Sequence, residues 1–240
     1  LAEAKSCFEK VIDIADDGGA LARIADLTRF DSDPDHQLIE QMQEKLAQGR
    51  NPNPDLMFSL GRAYEQIGEH KRSLELYESA NIIDWQYLPI YNKDLMTKLV
   101  ERIVEEYSAQ EGNKSIREDL GQVFICGNFR SGSTLLEQML AAHSTFAAGG
   151  ERDYFRKIAT DVTTNFPFSR SLGEESKIRI AEEYDRETLA QFGSRVRVTD
   201  KRPDNLVLIG LIKQVLPQAK IIITQRDPLD VAWSIFTTRF

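Results

Sequence analysis

Residues 123–140 read VFICGNFRSGSTLLEQML: an apolar run, a loop with glycines at positions 127 and 132, then apolar residues at helical spacing. A strand that turns through a glycine loop into a helix is the layout of a phosphate cradle. It also constrains the fold, because such a strand belongs inside a parallel sheet covered by helices. The glycines keep the G-x-x-x-x-G spacing of a nucleotide triphosphatase loop, but position 133 is Ser where that loop has its lysine, and the cation present is Arg130. The missing lysine serves β- and γ-phosphates. A loop without it suits a ligand that presents a single phosphate bearing some other transferable group. The N–H groups from Arg130 to Thr134, at the positive end of the next helix, are expected to face that phosphate.

The pattern continues downstream. Residues 195–199 alternate (RVRVT) and end at Asp200-Lys201; residues 206–216 read as a helix stopped by Pro217. Residues 220–224 (KIIIT) read as a buried strand ending at Arg226-Asp227, and a last helix begins near Pro228. Strands alternating with helices predict a parallel sheet flanked by helices, with ligands bound beyond the carboxyl ends of the strands. The polar residues of interest all fall at those ends.

Residues 1–110 differ in period. Apolar positions recur at helical spacing in Ala4, Phe8 and Val11, in Leu38, Met42 and Leu46, and in Leu56, Leu60, Tyr64 and Ile67. Asn51-Pro52-Asn53-Pro54 is a break, with Pro54 suited to a helix start. Residues 56–81 predict a helical hairpin in which Gly61 allows close approach and Gly68 lies between the helices. Leu60-Gly61, Tyr64, Tyr77 and Ala80 resemble the tetratricopeptide repeat at its signature offsets, with Ser73 in place of its usual Ala. Residues 18–50 match that pattern poorly. Residues 93–109 read as a longer helix leading out. The expected division is therefore an all-α, tetratricopeptide-like domain at 1–110, a linker at 111–121 and an α/β domain at 122–240.

Charge follows the same division. Residues 1–110 hold 21 Asp and Glu against 12 Lys and Arg, a net of −9; residues 111–240 hold 17 against 18, a net of +1. The half that carries the loop is thus the one suited to an anion. No basic stripe or interleaved aromatic set points to nucleic acid. No window approaches the ~18 consecutive apolar residues of a membrane span. Cys7 and Cys126 sit in apolar contexts, read as buried thiols of a reducing compartment, and place the chain in the cytoplasm.

The segments VFICGNFRSGSTLLEQMLAAHSTFAAGGE (123–151), VTDKRPDN (198–205) and AKIIITQRDPLDVAWSIF (219–236) together resemble sulfotransferases that use 3′-phosphoadenosine 5′-phosphosulfate. The likeness is to the tetratricopeptide-repeat-linked bacterial enzymes and, more distantly, to protein-tyrosine sulfotransferases. It implies that Arg130, Ser131, Gly132, Ser133, Thr134 and Leu135 form the 5′-phosphosulfate loop. Arg226 and Ser234 correspond to the 3′-phosphate pair, Lys201 to a stabiliser of the bridging oxygen, and Glu151 to the base. No metal is implied. Phe129 and Ser133 depart from the usual Pro and Thr. The family pattern continues past Phe240, so the chain reads as truncated at both ends.

The implied reaction moves a sulfuryl group to a hydroxyl of a peptide, glycan or small alcohol. A protein partner on the helical repeats is a further expectation. Two other functions compete: a P-loop kinase or nucleotide hydrolase, and a repeat-based interaction protein with an inactive nucleotide domain. Individual residues also have plainer readings. Glu151 could be a carboxylate at a helix start, and Lys201 with Asp200 a surface ion pair. His143, a rival base, could be a helix C-terminal cap. Trp233, Ile235 and Phe236 read as core. Glu174-Glu175 and Glu182-Glu183 read as a solvated helix face.

Overall fold

The computed structural model describes residues 2–15, 18–30, 33–49, 53–108, 121–162, 172–193 and 197–239. The expected linker at 111–121 lies outside them except for Gly121. The chain divides into two compact units, Leu1–Tyr91 with Ala232–Phe240, and Asn92–Val231.

The first unit contains α1 (Ala2–Ala15), α2 (Gly18–Asp26), α3 (Asp33–Gln48), α4 (Pro54–Gln66) and α5 (His70–Trp85). Pro54 opens α4 because its missing N–H would have no intrahelical partner there, and the Asn53 side chain accepts from Leu56 N at 3.2 Å. Leu56, Leu60, Ala63 and Tyr64 of α4 bury against Leu21, Ala22, Ala25, Ile39 and Met42. On the opposite side α4 meets α5. A Cβ added to Gly61 would lie 2.8 Å from Tyr77 Cε1, so glycine lets the ring seat against the helix backbone. Gly68, at φ +82°, makes the turn between the two helices. Within this unit Phe236 packs edge-on to Tyr77, with centroids 6.2 Å apart, and Trp233 does so at 6.4 Å. Phe236 is part-buried as core, but Trp233 and Ile235 remain largely exposed, contrary to their apolar reading. Cys7 is likewise exposed, because it lies on the outward face of α1; Cys126 is buried.

The second unit begins with α6 (Lys93–Ser108) and continues β1 (Val123–Gly127), α7 (Ser133–Ala141), β2 (Phe146–Ala148), α8 (Tyr154–Val162), α9 (Glu174–Phe192) and β3 (Arg197–Lys201). A 3-10 turn (Pro203–Leu208), α10 (Ile209–Val215), β4 (Lys220–Thr224) and α11 (Pro228–Phe236) follow. Only the first residues of α11, up to Val231, group with this unit. From its spacing α6 would close the helical half. It groups here because Tyr107 lies over Gly210, where an added Cβ would come 2.3 Å from the ring. The helix expected at 206–216 starts as a 3-10 turn, because Pro203 opens it and α-helical bonding begins only at Ile209.

The sheet order is β2-β3-β1-β4 and every described pairing is parallel. All of β1 is buried, as expected for a central parallel strand. Its Phe124 contacts Phe155 and Tyr184, within a core that also holds Tyr154, Ile180, Leu211, Ile212 and Val215. β3 runs two residues beyond the alternating apolar stretch, so Asp200 and Lys201 are buried strand residues rather than an exposed turn. β2, only three residues long, carries too short a pattern to be read from sequence.

Candidate functional site

The parallel register gathers the carboxyl ends of β1, β3 and β4, with the glycine turn after β2, along one edge. β1 ends at Gly127, at φ +144°; a Cβ there would lie 2.4 Å from Thr224 O, so the loop leaves the sheet hard against β4. Arg130 has φ +64°, the one non-glycine residue with positive φ among those described, and Gly132 has φ +95° as the N-cap of α7. A non-glycine residue in the left-handed region costs roughly 1–3 kcal/mol and persists only where its surroundings impose it.

The loop is tied from inside. Ser131 Oγ donates to Asn128 O at 2.6 Å and lies 2.7 Å from Thr224 Oγ1, which in turn donates to Cys126 O at 3.1 Å. The Ser131 N–H also donates to Asn128 O, at 3.2 Å, so it turns into the loop instead of joining the inward set expected from sequence. Ser131 and Ser133 are buried, whereas Arg130, Gly132, Thr134 and Leu135 are exposed. Arg226 follows β4. Its Nη1 donates to Arg130 O at 3.5 Å and its Nε to Asp230 at 3.3 Å, so the end of β4 borders the loop. Ser234 belongs to the other compact unit.

Glu151 and Lys201 meet directly. Lys201 Nζ donates to Glu151 Oε1 at 2.5 Å; the lysine is 6% exposed, while the glutamate side chain is 53% exposed. The glycines explain the approach. A Cβ on Gly149 would lie 2.0 Å from Thr199 O, and Gly150 sits at φ +67°. Lys201 N donates to Gly150 O at 2.9 Å, which carries the turn alongside β3. Glu151 does not open a helix, since α8 starts at Tyr154. Nor does Lys201 pair with Asp200.

Asp200 points the other way. It accepts from Tyr184 Oη at 3.2 Å and from Asn205 Nδ2 at 3.1 Å, while Asn205 Oδ1 is buried without a partner. Burial pushes the Asp200 carboxyl up to about 7, against the pull of Arg152, whose guanidinium lies 4.5 Å over the Tyr184 ring. His143 precedes β2 and Glu151 follows it, so this three-residue strand, about 10 Å long, runs between them. His143 Nδ1 is instead 2.9 Å from Thr145 Oγ1 in its own turn.

Beside Glu151 opens a cleft of about 770 Å³, lined by α8 and α9 residues that include Lys157, Arg179, Glu183, Glu187 and Gln191. No cluster of His, Cys, Asp or Glu among the described residues is arranged to hold a metal. No described helix is long and apolar enough to cross a membrane.

Sequence reasoning missed the buried polar groups that hold the site: Glu137, Thr199, Asp200, Asn205 and Thr224. Glu137 did carry a signal. It stands four residues after Ser133 on α7, so the two share a helix face, and both are buried.

Residues 122–240 match the model of the Sulfotransferase family. A protein of Aquifex aeolicus (strain VF5), described as an uncharacterized protein, is 26% identical over 230 residues, covering 87% of this chain and 29% of its own length. The chain therefore spans less than a third of that relative. No solved structure matches at a significant level. The matched stretch contains all four strands of the parallel sheet and the helices that flank it.

Proposed function

We propose that the α/β unit transfers a sulfuryl group from 3′-phosphoadenosine 5′-phosphosulfate to an acceptor hydroxyl. The observation that carries this reading is the Glu151–Lys201 pair on the carboxyl edge of the sheet, one strand away from a phosphate loop that lacks the triphosphatase lysine. The left-handed Arg130 and Gly132 shape the loop, and the first turn of α7 offers N–H groups with no intrahelical acceptor.

In this reading the acceptor oxygen attacks sulfur as the bond from sulfur to the bridging oxygen breaks. The acceptor proton passes to Glu151. The departing 5′-phosphate keeps the bond's electron pair, and its charge is met by Lys201, Arg130 and the start of α7. Sulfuryl transfer, like phosphoryl transfer, has a loose transition state in which positioning and charge stabilisation do most of the work. The ion pair gives the order of events a physical basis. When the phosphosulfate arrives, Lys201 exchanges Glu151 for the bridging oxygen, and the half-exposed carboxylate becomes available to the acceptor. Arg226 takes the 3′-phosphate as a guanidinium fork. Ser133, Thr134 and Leu135 contribute backbone N–H groups; Ser131 holds the loop through its hydroxyl. The acceptor enters the cleft beside Glu151. The helical unit, read as tetratricopeptide-type repeats, holds a partner protein.

Calorimetric titration of adenosine 3′,5′-bisphosphate and of ATP with magnesium tests the reading. Preference for the bisphosphate without magnesium is expected; tighter, magnesium-dependent ATP binding would transfer the site to kinase or hydrolase chemistry.

A further inference from the structure

Glu137 has no place in the chemistry above, yet it is a glutamate only 3% exposed on the helix that starts at the phosphate loop. Its Oε1 accepts from Gly150 N at 3.0 Å and from Thr199 Oγ1 at 2.6 Å. Thr199 Oγ1 also accepts from Gly149 N at 3.2 Å. Both glycine amides of the turn that delivers Glu151 are therefore held by one glutamate–threonine pair. Gly150 O is held from the other side by Lys201 N.

Burying a carboxyl group costs free energy unless its oxygens find donors. Gly150 sits at φ +67° and Gly149 lies against Thr199 O, so the turn has no side chain of its own to pack and depends on outside contacts. The geometry points to Glu137 as a positioning residue: through Thr199 it clamps the Gly149–Gly150 turn to α7, and so fixes Glu151 relative to the phosphate loop from which that helix starts. Glu137 itself touches neither reactant. Donor loop and base then form one rigid piece, joined across β3.

This inference rests on Glu151 acting as the base, and its test separates the two. Wild type, Glu137→Ala, Glu137→Gln and Thr199→Val are compared in three measurements. These are amide hydrogen exchange at Gly150, affinity for adenosine 3′,5′-bisphosphate, and sulfate release from the phosphosulfate with water in place of the acceptor. In that last reaction a water oxygen bonds to sulfur, the bisphosphate leaves with the electron pair, and Glu151 takes the proton. Glu137→Ala should speed Gly150 exchange at least about tenfold, because the amide loses its acceptor. It should lower the rate of sulfate release by about 10- to 100-fold, the scale on which misplaced groups lose rate, while bisphosphate affinity stays within about twofold. Glu137→Gln keeps an oxygen in place and should recover most of both losses. Thr199→Val, which keeps the side-chain shape, should fall between them. Unchanged Gly150 exchange in Glu137→Ala and Thr199→Val overturns the clamp. So does a bisphosphate affinity that falls as far as the rate, since Glu137 would then support the whole loop. Failure of wild type to bind the bisphosphate overturns the sulfotransferase reading instead, and the exchange comparison still decides the clamp.

Discussion

The helical unit and the α/β unit bury different things. Among the described residues, the polar groups buried in the helical unit are two serines, Ser59 and Ser73, with no charged residue. The α/β unit buries Glu137, Asp200 and Lys201, and with them Ser131, Ser133, Thr188, Thr199, Asn205 and Gln214. Burying charge is expensive, and an apolar replacement is often as stable or more so. A unit that buries three charged residues, Glu137, Asp200 and Lys201, beside another that among its described residues buries none, is holding side chains for a purpose other than stability. The contrast locates the site without reference to any relative. The helical unit places its charges outside: Arg239 pairs with Asp55 at 2.5 Å and Asp84 at 3.0 Å, and Arg23 with Asp26 and Asp55.

The strongest way to break this comparison is to remove the base. Glu151→Gln should lower sulfuryl transfer by roughly 10²–10⁴-fold, the usual worth of a positioned base. Gln keeps an acceptor for the buried Lys201 Nζ but removes its counter-charge, so some stability should be lost with the activity. Bisphosphate affinity should hold, because the base faces the acceptor. An active Glu151→Gln enzyme would mean that the acceptor ionises unaided and the buried charges serve positioning alone.

Asp200 sharpens the comparison through pH. Its folded value, about 7, lies above the unfolded value of 3.8, and the main cause is burial. A raised carboxyl contributes its stability fully below the unfolded value and loses it as pH rises through the folded one, because the unfolded chain ionises first. Stability should therefore fall between about pH 4 and 7 by a few kcal/mol from this group. Asp200→Asn should flatten that slope in urea melts at pH 5 and pH 8. The partnerless Asn205 Oδ1 could accept from the new amide once its own amide turns over. An unchanged slope would place the carboxylate's charge in balance with Arg152 and Arg202.

Much of this was legible. The loop, β1, β4 and the starts of α4 and α11 followed from apolar runs, glycine spacing and Pro54 and Pro228, because local chemistry decides them. Glu151 and Lys201 were readable as candidates, but their direct pairing was not, since it depends on how close Gly149 brings the turn to β3. Asp200, Asn205 and Tyr184 were invisible for the same reason: nothing local distinguishes a buried aspartate from the exposed ion pair Asp200-Lys201 suggested. The grouping of α6 turned on Tyr107 meeting Gly210 across a long sequence separation.

Arg226 gives a smaller effect. Losing a charge-assisted contact costs roughly 1.5–3 kcal/mol. Arg226→Ala should cut the preference for adenosine 3′,5′-bisphosphate over AMP by about ten- to a hundred-fold, measured as a ratio of calorimetric affinities. Equal weakening of both nucleotides would assign the arginine to the loop, through its contact with Arg130 O.

The smallest effect compares one glycine from each unit. In both, an added methyl would collide, but with different neighbours. At Gly149 the obstacle is Thr199 O, 2.0 Å away in the backbone of β3, and a strand held on both sides cannot withdraw. At Gly61 it is the Tyr77 ring edge at 2.8 Å, a side chain that can tilt by a few tenths of an ångström. Gly61 also lies inside a helix, where Ala is favoured by about 0.8–1.0 kcal/mol. Gly149→Ala should therefore destabilise by about 1–3 kcal/mol, as overpacked sites do. Gly61→Ala should come out within about 1 kcal/mol of wild type, its helix gain offsetting the shifted ring. Chemical denaturation of both variants gives the comparison. If Gly61→Ala were the costlier, the ring would be pinned, and the hydrogen bond from Tyr77 Oη to Glu65 at 3.0 Å is the contact that would pin it. Tyr77→Phe in the Gly61→Ala background would then restore stability by freeing the ring to move.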